Sequence, residues 1–476
     1  MAESARIMRL ARPALADALA AALAAALAAS AAGVVAQDVP RPAPGPERFD
    51  QRIVATGLDA PWEIAWGPDE QLWITERRGR RVVRVNPATG MRTTAVTIDE
   101  VHQSASQDGL LGLALHPQLL RGSDLVYVAF TYDDAPGPEL RRRLLVRQYS
   151  YDASTRSLVR PVDLLSGLPA HNDHQAGRLA VGPDGKVYLS IGDLGSNFGG
   201  NRCNVNRAQD LPTAADVAAR NWTTYQGKIL RLNLDGSVPS DNPTIAGVRS
   251  HVFSYGHRNP LGLAFGSRGQ VYASEHGPSS DDELNLIEGG RNYGWPNVAG
   301  FRDDKSYVYG RWPASSPEPC SSLLAVNIDR IPPSVPTQKE TAWSHPDFAD
   351  PLLTFYTVDT GYDFQRSGNA TIAPGGMAMY AGTAIPGWDN SLLVLSLLRG
   401  AIFRVPLRAD GRLVRGAPTA HFKSTNRYRD IALHPDGRRF YFVTDIEGRT
   451  TDDTGALSRA VANPGAVIEF TFTTSR

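Results

Sequence analysis

Cysteine is almost missing from this chain. Among 476 residues there are two, Cys203 and Cys320, and neither belongs to a Cys-x-x-Cys pair. That argues against a zinc ribbon, a zinc finger or a dithiol redox motif. In an exported protein the two could form one disulfide; they could equally stay as two unpaired thiols, and the sequence leaves both open. Net charge is missing as well, since 49 basic side chains balance 49 acidic ones. No basic excess is available to hold nucleic acid or an anionic membrane surface. Beyond the N-terminus, no apolar run approaches the ~20 residues that a bilayer span requires. Sustained helical periodicity is lacking too.

What is present is turn chemistry and a leader. The 44 glycines and 34 prolines imply many short strands joined by tight turns. Arg6, Arg9 and Arg12 open the chain with positive charge, and an Ala/Leu-rich run follows from Leu15 to Val35. Val34-Val35-Ala36 before Gln37 fits a small-residue cleavage site. Residues 1–36 therefore read as a secretory signal peptide, and the implied address is the periplasm or the outside of the cell. Residues 37–50 are a Pro-rich lead-in, expected to lack fixed structure. Residues 51–476 form the expected single catalytic domain.

One module recurs through that domain: an apolar pair, a Pro/Asp/Gly turn, then a strand rich in Tyr, Trp and Val. It occurs at Trp66-Gly67-Pro68-Asp69 with Leu72-Trp73-Ile74-Thr75, and at Leu115-His116-Pro117 with Leu125-Val126-Tyr127-Val128. Val181-Gly182-Pro183-Asp184-Gly185 leads to Val187-Tyr188-Leu189-Ser190, and Phe265-Gly266-Ser267 to Val271-Tyr272-Ala273-Ser274. The last two copies are Trp388-Asp389-Asn390 with Leu392-Leu393-Val394-Leu395, and Leu433-His434-Pro435-Asp436 with Phe440-Tyr441-Phe442-Val443. Six such units without linkers predict an all-β, six-bladed β-propeller in preference to two β-sandwiches. Long insertions around residues 197–225 and 303–350 are expected to supply loops to the face that binds.

Several polar motifs could carry chemistry there. Asp173-His174-Gln175 places a carboxylate, an imidazole and an amide before an apolar strand, and an imidazole can take a hydroxyl proton when a partner fixes its tautomer. Asp193, at the end of the third module, could be that partner. Gln107, in Gln107-Asp108-Gly109, could hydrogen-bond a polyol or a quinone oxygen. Gly256-His257-Arg258-Asn259-Pro260 offers a guanidinium fork, suited to oxyanions, on a constrained backbone. Glu275 to Glu283 is rich in oxygen donors, and Gly277 and Pro278 leave carbonyls for a hard cation. Arg427 and Arg429, two residues apart, would share one strand face and hold an anion.

Together these segments resemble the soluble PQQ-dependent glucose dehydrogenases, the periplasmic quinoprotein aldose dehydrogenase family. The likeness runs from Pro61 to Phe470 and includes Asn292-Tyr293-Gly294-Trp295-Pro296-Asn297 and Asn426-Arg427-Tyr428-Arg429-Asp430. It implies oxidation of an aldose at its anomeric hydroxyl to the lactone, with PQQ (pyrroloquinoline quinone) and Ca2+ as cofactors. A quinone or a cytochrome would then accept the electrons, and a homodimer is one assembly open to such a chain. By position the resemblance makes His174 the general base, Asp193 its orienting partner and Arg258 a catalytic cation. Gln107 and Asp173 would contact substrate, and Gln107, His174, Arg258, Asn259, Thr371, Arg427 and Arg429 would surround PQQ. Gly277 and Pro278 would hold the calcium at the quinone. Glu283, Tyr293, Ala299, Phe301, Asp303 and Glu340 would hold structural calcium, several through backbone oxygens.

The chain also departs from the family. Leu398 stands where the family has a lysine against PQQ, and the neighbouring Arg399 would point away if that segment were a strand. Arg366 and Asn369 stand where aromatics would cover the sugar, and Phe198 replaces a glutamine. Two other readings use part of the same motifs: a calcium-dependent lactonase, and a propeller that binds sugar or protein without catalysis. The first leaves Arg427 and Arg429 idle.

Overall fold

The computed structural model describes residues 42–135, 137–324, 330–451 and 456–473. The expected signal peptide lies outside them. Six sheets follow one another along the chain, each with four antiparallel strands, and one of them gains a short fifth strand. Their innermost strands are Pro61–Trp66, Leu110–Leu115, Ala176–Val181, Pro260–Phe265, Pro374–Tyr380 and Tyr428–Leu433. Each packs against the next, and the sixth returns to the first, so the ring closes and the protein is a six-bladed β-propeller. Each repeated turn found in the sequence joins an innermost strand to the second strand of its blade, as in Trp66↔Leu72 and Leu433↔Phe440.

The last blade joins both ends of the chain. Its inner strands Tyr428–Leu433, Arg439–Thr444 and Val467–Thr473 are completed by the N-terminal Arg48–Ala55. The described part of the lead-in, from Pro42 on, is likewise held, contrary to expectation. Ala43–Pro44 adds a parallel strand to Thr419–His421, and the Gly45 amide donates to the Ala420 carbonyl at 2.9 Å. Proline can occupy such an edge because a blade's outer strand needs no donor on its free side.

The six innermost strands share a sequence column that becomes legible only in the closed ring. Each has a register shift at the same place, and each carries an alanine just before the turn. The column at the shift reads Glu63, Gly112, Arg178, Gly262, Gly376 and Asp430. Three blades thus send a charge toward the axis and three send none. Arg178 Nη1 lies 3.0 Å from Glu63 Oε1 and 2.7 Å from Asp430 Oδ2. The glycines leave the room: a Cβ on Gly376 would sit 1.9 Å from Asp430 Oδ1. Backbone amides complete the plug, with Leu113 N donating to Glu63 and Ile64 N to Asp430, both at 2.9 Å. Burial pushes the Glu63 carboxyl up to about 8, against the pull of Arg178. A triad this dry adds little net stability, but loss of one member leaves an unpaired buried charge.

Buried hydroxyls clip the blades together. Thr75 Oγ1 accepts from Glu63 N and donates to the next blade's Leu111 carbonyl at 2.7 Å, and Ser190 Oγ does the same between Arg178 N and the Pro260 carbonyl. The two insertions lie within blades, Gly192 to Gly227 in the third and Glu288 to Leu352 in the fourth. Cys203 and Cys320 are disulfide-bonded, which ties one insertion to the other. The Asn197 side chain adds to that tie: Nδ2 donates to the Gly310 carbonyl at 2.8 Å, and Oδ1 accepts from Trp312 N at 3.0 Å.

Candidate active site

In this topology an innermost strand starts on the same face of the ring where its neighbouring second strand ends. Gln107, Asp173, His174, Arg258, Asn259, Thr371 and Arg427 lie just before innermost strands, and Arg429 within the start of one. Asp193, Gly277 and Pro278 lie just after second strands. One face therefore carries every residue expected to act in catalysis or to hold PQQ, and the Gly/Pro turns occupy the other.

His174 is built under backbone strain. Its φ is 45° and that of Ala176 is 53°, both in the left-handed region, as cost-bearing non-glycine residues at functional sites often are. Its ring is buried, and Nδ1 lies 2.7 Å from Asp193 Oδ1. Asp193 is fully buried and also accepts from Gly195 N (2.9 Å), Asn206 Nδ2 (3.0 Å) and Trp295 Nε1 (2.7 Å). With only acceptor oxygens facing it, His174 Nδ1 must carry the proton. Nε2 is then the nitrogen with a free lone pair.

The neighbouring polar groups form a chain toward a cavity of about 280 Å³. Gln107 Nε2 donates to Asp173 Oδ1 at 3.1 Å, and Asn259 Nδ2 reaches Gln107 Oε1 at 3.4 Å. Asn259 Oδ1 and Arg258 Nε are buried without a hydrogen-bond partner. The Arg258 guanidinium lies between two rings, 5.1 Å from Phe198 and 5.3 Å from Trp295, and Nη1 donates to the His276 carbonyl at 3.1 Å. Phe198, flagged as a departure, thus clamps a cation. His276 joins the two halves of the site. It lines the cavity, burial holds it well below the usual histidine range, and Arg258, His174 and Arg429 all act on it electrostatically.

Arg427 and Arg429 do face one way. Arg429 grips Asp445 with Nε at 2.7 Å and Nη2 at 2.8 Å, while Arg427 Nε reaches the same carboxylate at 3.1 Å. Burial alone would raise the Asp445 carboxyl, but Arg429 and Arg427 outweigh it and hold it below the usual range. The cavity is also lined by Trp62, Arg77, His276 and Asp445, none of which the sequence reading assigned to it. A signal existed. Arg77, His276, Leu397 and Asp445 each follow the last residue of a second strand, the edge on which Asp193 also lies.

Thr371, like His174, Asp173 and Arg258, stands next to the cavity lining and not in it. Its hydroxyl donates to Asp282 Oδ2 at 2.5 Å and is absent from the cavity lining. Asp282 also accepts from Ile372 N and, through Oδ1, from Gly277 N at 2.9 Å, so it locks the Gly277 loop to the loop before the fifth blade. Arg399 does point away, although Leu397–Gly400 is a turn and not a strand. Its Nε donates to the Thr371 carbonyl at 2.7 Å.

The expected structural-calcium residues divide. Glu283 Oε1 accepts from Gly300 N at 2.7 Å, and Glu340 accepts from Ala299 N at 2.9 Å and Asp304 N at 3.0 Å. Burial, then repulsion by Asp281 and Asp303, pushes Glu340 up to about 8; burial and Glu275 push Glu283 well above its usual range. The Tyr293 hydroxyl is spent on the Leu286 carbonyl at 2.6 Å, and Phe301 is partly exposed. Among the described residues no three acidic, His or Cys side chains converge as a metal-holding group. Yet no ion pair relieves Asp281, Glu283 or Glu340 among those residues, and buried carboxylates lacking a cation suit a hard metal bound largely through backbone oxygens.

Comparison with known proteins agrees with this geometry. Residues 58–316 and 344–456 match the family model described as glucose/sorbosone dehydrogenase. The chain is 42% identical over 439 residues to quinoprotein glucose dehydrogenase B of Acinetobacter calcoaceticus, covering 90% of this chain and 91% of that protein. It is 31% identical over 418 residues to an aldose sugar dehydrogenase of Escherichia coli strain K12, covering 84% and 91%. The solved PQQ-bound aldose sugar dehydrogenase of Streptomyces coelicolor aligns with a TM-score of 0.61 at 26% identity, over 91% of this chain and all of that one. The chain belongs to the glucose/sorbosone dehydrogenase family.

Proposed function

We propose that this protein is a quinoprotein aldose dehydrogenase that oxidises the anomeric hydroxyl of a glucose-like sugar to the lactone. The observation that carries the reading is the His174–Asp193 pair, linked through Asp173 and Gln107 to a cavity lined by arginines, with Asn259 Oδ1 unpartnered in that cavity's wall and Arg258 Nε unpartnered next to it in the chain. The orphaned Arg258 Nε–H and the paired Arg427 and Arg429 suit a planar polyanion, which fits PQQ. When bound, PQQ supplies the two-electron acceptor for the hydride from C1, and a calcium ion on the Gly277 and Pro278 carbonyls would polarise it.

The chain's own residues do the rest. His174 Nε2 takes the proton of the anomeric hydroxyl, and Asp193 holds the ring in the required tautomer and stabilises the imidazolium that forms. Arg258 places positive charge beside the reacting oxygen, fixed by its two aromatic neighbours. Gln107 and Asp173, already bonded to each other, present an amide and a carboxylate to sugar hydroxyls. Glu283, Tyr293, Ala299, Phe301, Asp303 and Glu340 would brace the fourth-blade insertion around calcium. Export to the periplasm or beyond is supported by the basic, Ala/Leu-rich N-terminus and by the Cys203–Cys320 disulfide, which needs an oxidising compartment.

The test is reconstitution. Apoprotein with PQQ and Ca2+ should reduce a dye in the presence of an aldose; absence of turnover with every aldose tried, together with no change in quinone absorbance, contradicts the reading.

A further inference from the structure

The cavity holds more positive charge than the sequence motifs account for. Three guanidinium-bearing residues line it, Arg77, Arg427 and Arg429. Of the two acids in its lining, Asp445 is half-buried and already shared by Arg427 and Arg429, while Glu447 has a 69% exposed side chain and reaches out to Arg78. Arg77 is 8% exposed, and among the described residues no carboxylate lies within ion-pair distance of it. Its one side-chain hydrogen bond goes from Nη1 to the Asp108 carbonyl at 3.2 Å.

The placement of Arg77 is nevertheless fixed. Asp108 is buried and anchored by Arg142 at 2.8 Å and by Ser104. Gly109 follows it at φ 136°, and a Cβ there would sit 2.7 Å from Arg77 Cγ, so the Asp108-Gly109 turn is shaped around the arginine stem. The indole of Trp62, also in the cavity wall, lies 5.8 Å from the Arg77 guanidinium and 4.3 Å from that of Arg429. Burial, and then Arg429, pushes Arg77 down to about 10 against the pull of Asp445 and Asp108, which still leaves it charged at neutral pH. The two carboxylates that act on Arg77 from a distance are already paired, Asp445 with Arg427 and Arg429 and Asp108 with Arg142, so a ligand carboxylate would supply the counter-charge that Arg77 lacks at contact distance.

We infer that Arg77 is a third carboxylate-binding cation of this cavity, acting with Arg427 and Arg429, and that Trp62 is the platform aligning it with Arg429. The inference rests on the reading of the cavity as the PQQ site. PQQ carries three carboxylates on a flat ring, and three guanidiniums around an indole match that chemistry. The charge that Leu398 does not supply then comes from the first blade.

The test is PQQ binding to apoprotein in Ca2+ buffer, followed by tryptophan fluorescence and calorimetry, with no turnover required. Arg77→Gln should weaken binding by about 10- to 100-fold, as expected for loss of a buried charge-assisted contact, and Arg77→Lys should recover part of the loss. The Arg77→Gln apoprotein should melt no lower than the parent, because it sheds an unpaired buried charge. Binding of PQQ by Arg77→Gln within twofold of the parent overturns the assignment of Arg77. A lower melting temperature, with binding restored by stabilising osmolyte, overturns it in favour of a structural role. Failure of the parent protein itself to bind PQQ overturns instead the reading of the cavity on which the assignment rests.

Discussion

His174 Nδ1 lies 2.7 Å from Asp193 Oδ1, and that bond decides which ring nitrogen can act as a base. Asp193 is itself held by three further N–H donors, so the pair cannot readily re-form in another geometry. Asp193→Asn would set an amide N–H against one of these donors or against the imidazole. We expect turnover to fall by ~10²–10⁴-fold, the range of a positioned general base, while PQQ affinity changes by less than a factor of a few. Steady-state kinetics beside a binding titration separates the two, and equal losses in both would point to misfolding.

The axial triad makes a prediction about stability. Arg178→Met removes the only cation paired with Glu63 and Asp430 among the described residues, and unfolding free energy should drop by roughly 3–5 kcal/mol. Urea unfolding measures this. Adding Glu63→Gln and Asp430→Asn should restore part of the loss, since no charge then stays buried alone.

The disulfide predicts a local effect. Cys203 and Cys320 are 117 residues apart and join two insertions on the active face. Reduction, or Cys203→Ser with Cys320→Ser, should cost about 2–4 kcal/mol. Hydrogen exchange should rise in residues 197–225 and 303–324 while the inner strands stay protected.

Acid stability should depend on His251. Burial holds its ring down at about 4, between Tyr225 Oη and the Gly236 carbonyl. The unfolded chain takes up this proton near pH 6.5 and the folded chain only near 4, so the unfolded state binds more protons between them. Stability is therefore retained above pH 6.5 and lost as pH falls toward 4, by roughly 3 kcal/mol for this group. His251→Gln should flatten that part of a stability–pH curve measured by urea unfolding.

Much of this was legible in the sequence because the chemistry-bearing segments are short and local. Asp173-His174-Gln175 and Asp193 flank one hairpin, and the repeated Gly/Pro turns mark where each blade begins. Arg77, Trp62 and Asp445 were missed: the place of Arg77 and Asp445 just after a second strand was a signal for the face they lie on, but not for their meeting in one cavity. They belong to the first and last blades, which become neighbours only when Arg48–Ala55 closes the ring against Val467–Thr473. The column from Glu63 to Asp430 was hidden for the same reason, since its meaning is a contact across the axis. The bond from the Thr371 hydroxyl to Asp282 was not legible either, since that buried carboxylate lies in the fourth blade, 89 residues earlier in the chain. The Cys203–Cys320 bond needed the two insertions to be placed side by side before its geometry could be judged.

The most direct test is to load the parent protein and a His174→Ala variant with PQQ and Ca2+, and to measure aldose-dependent dye reduction against the amount of bound PQQ. Both should bind PQQ, and the parent alone should turn over. Equal turnover by the variant, or PQQ-loaded parent that oxidises no aldose, would contradict the account.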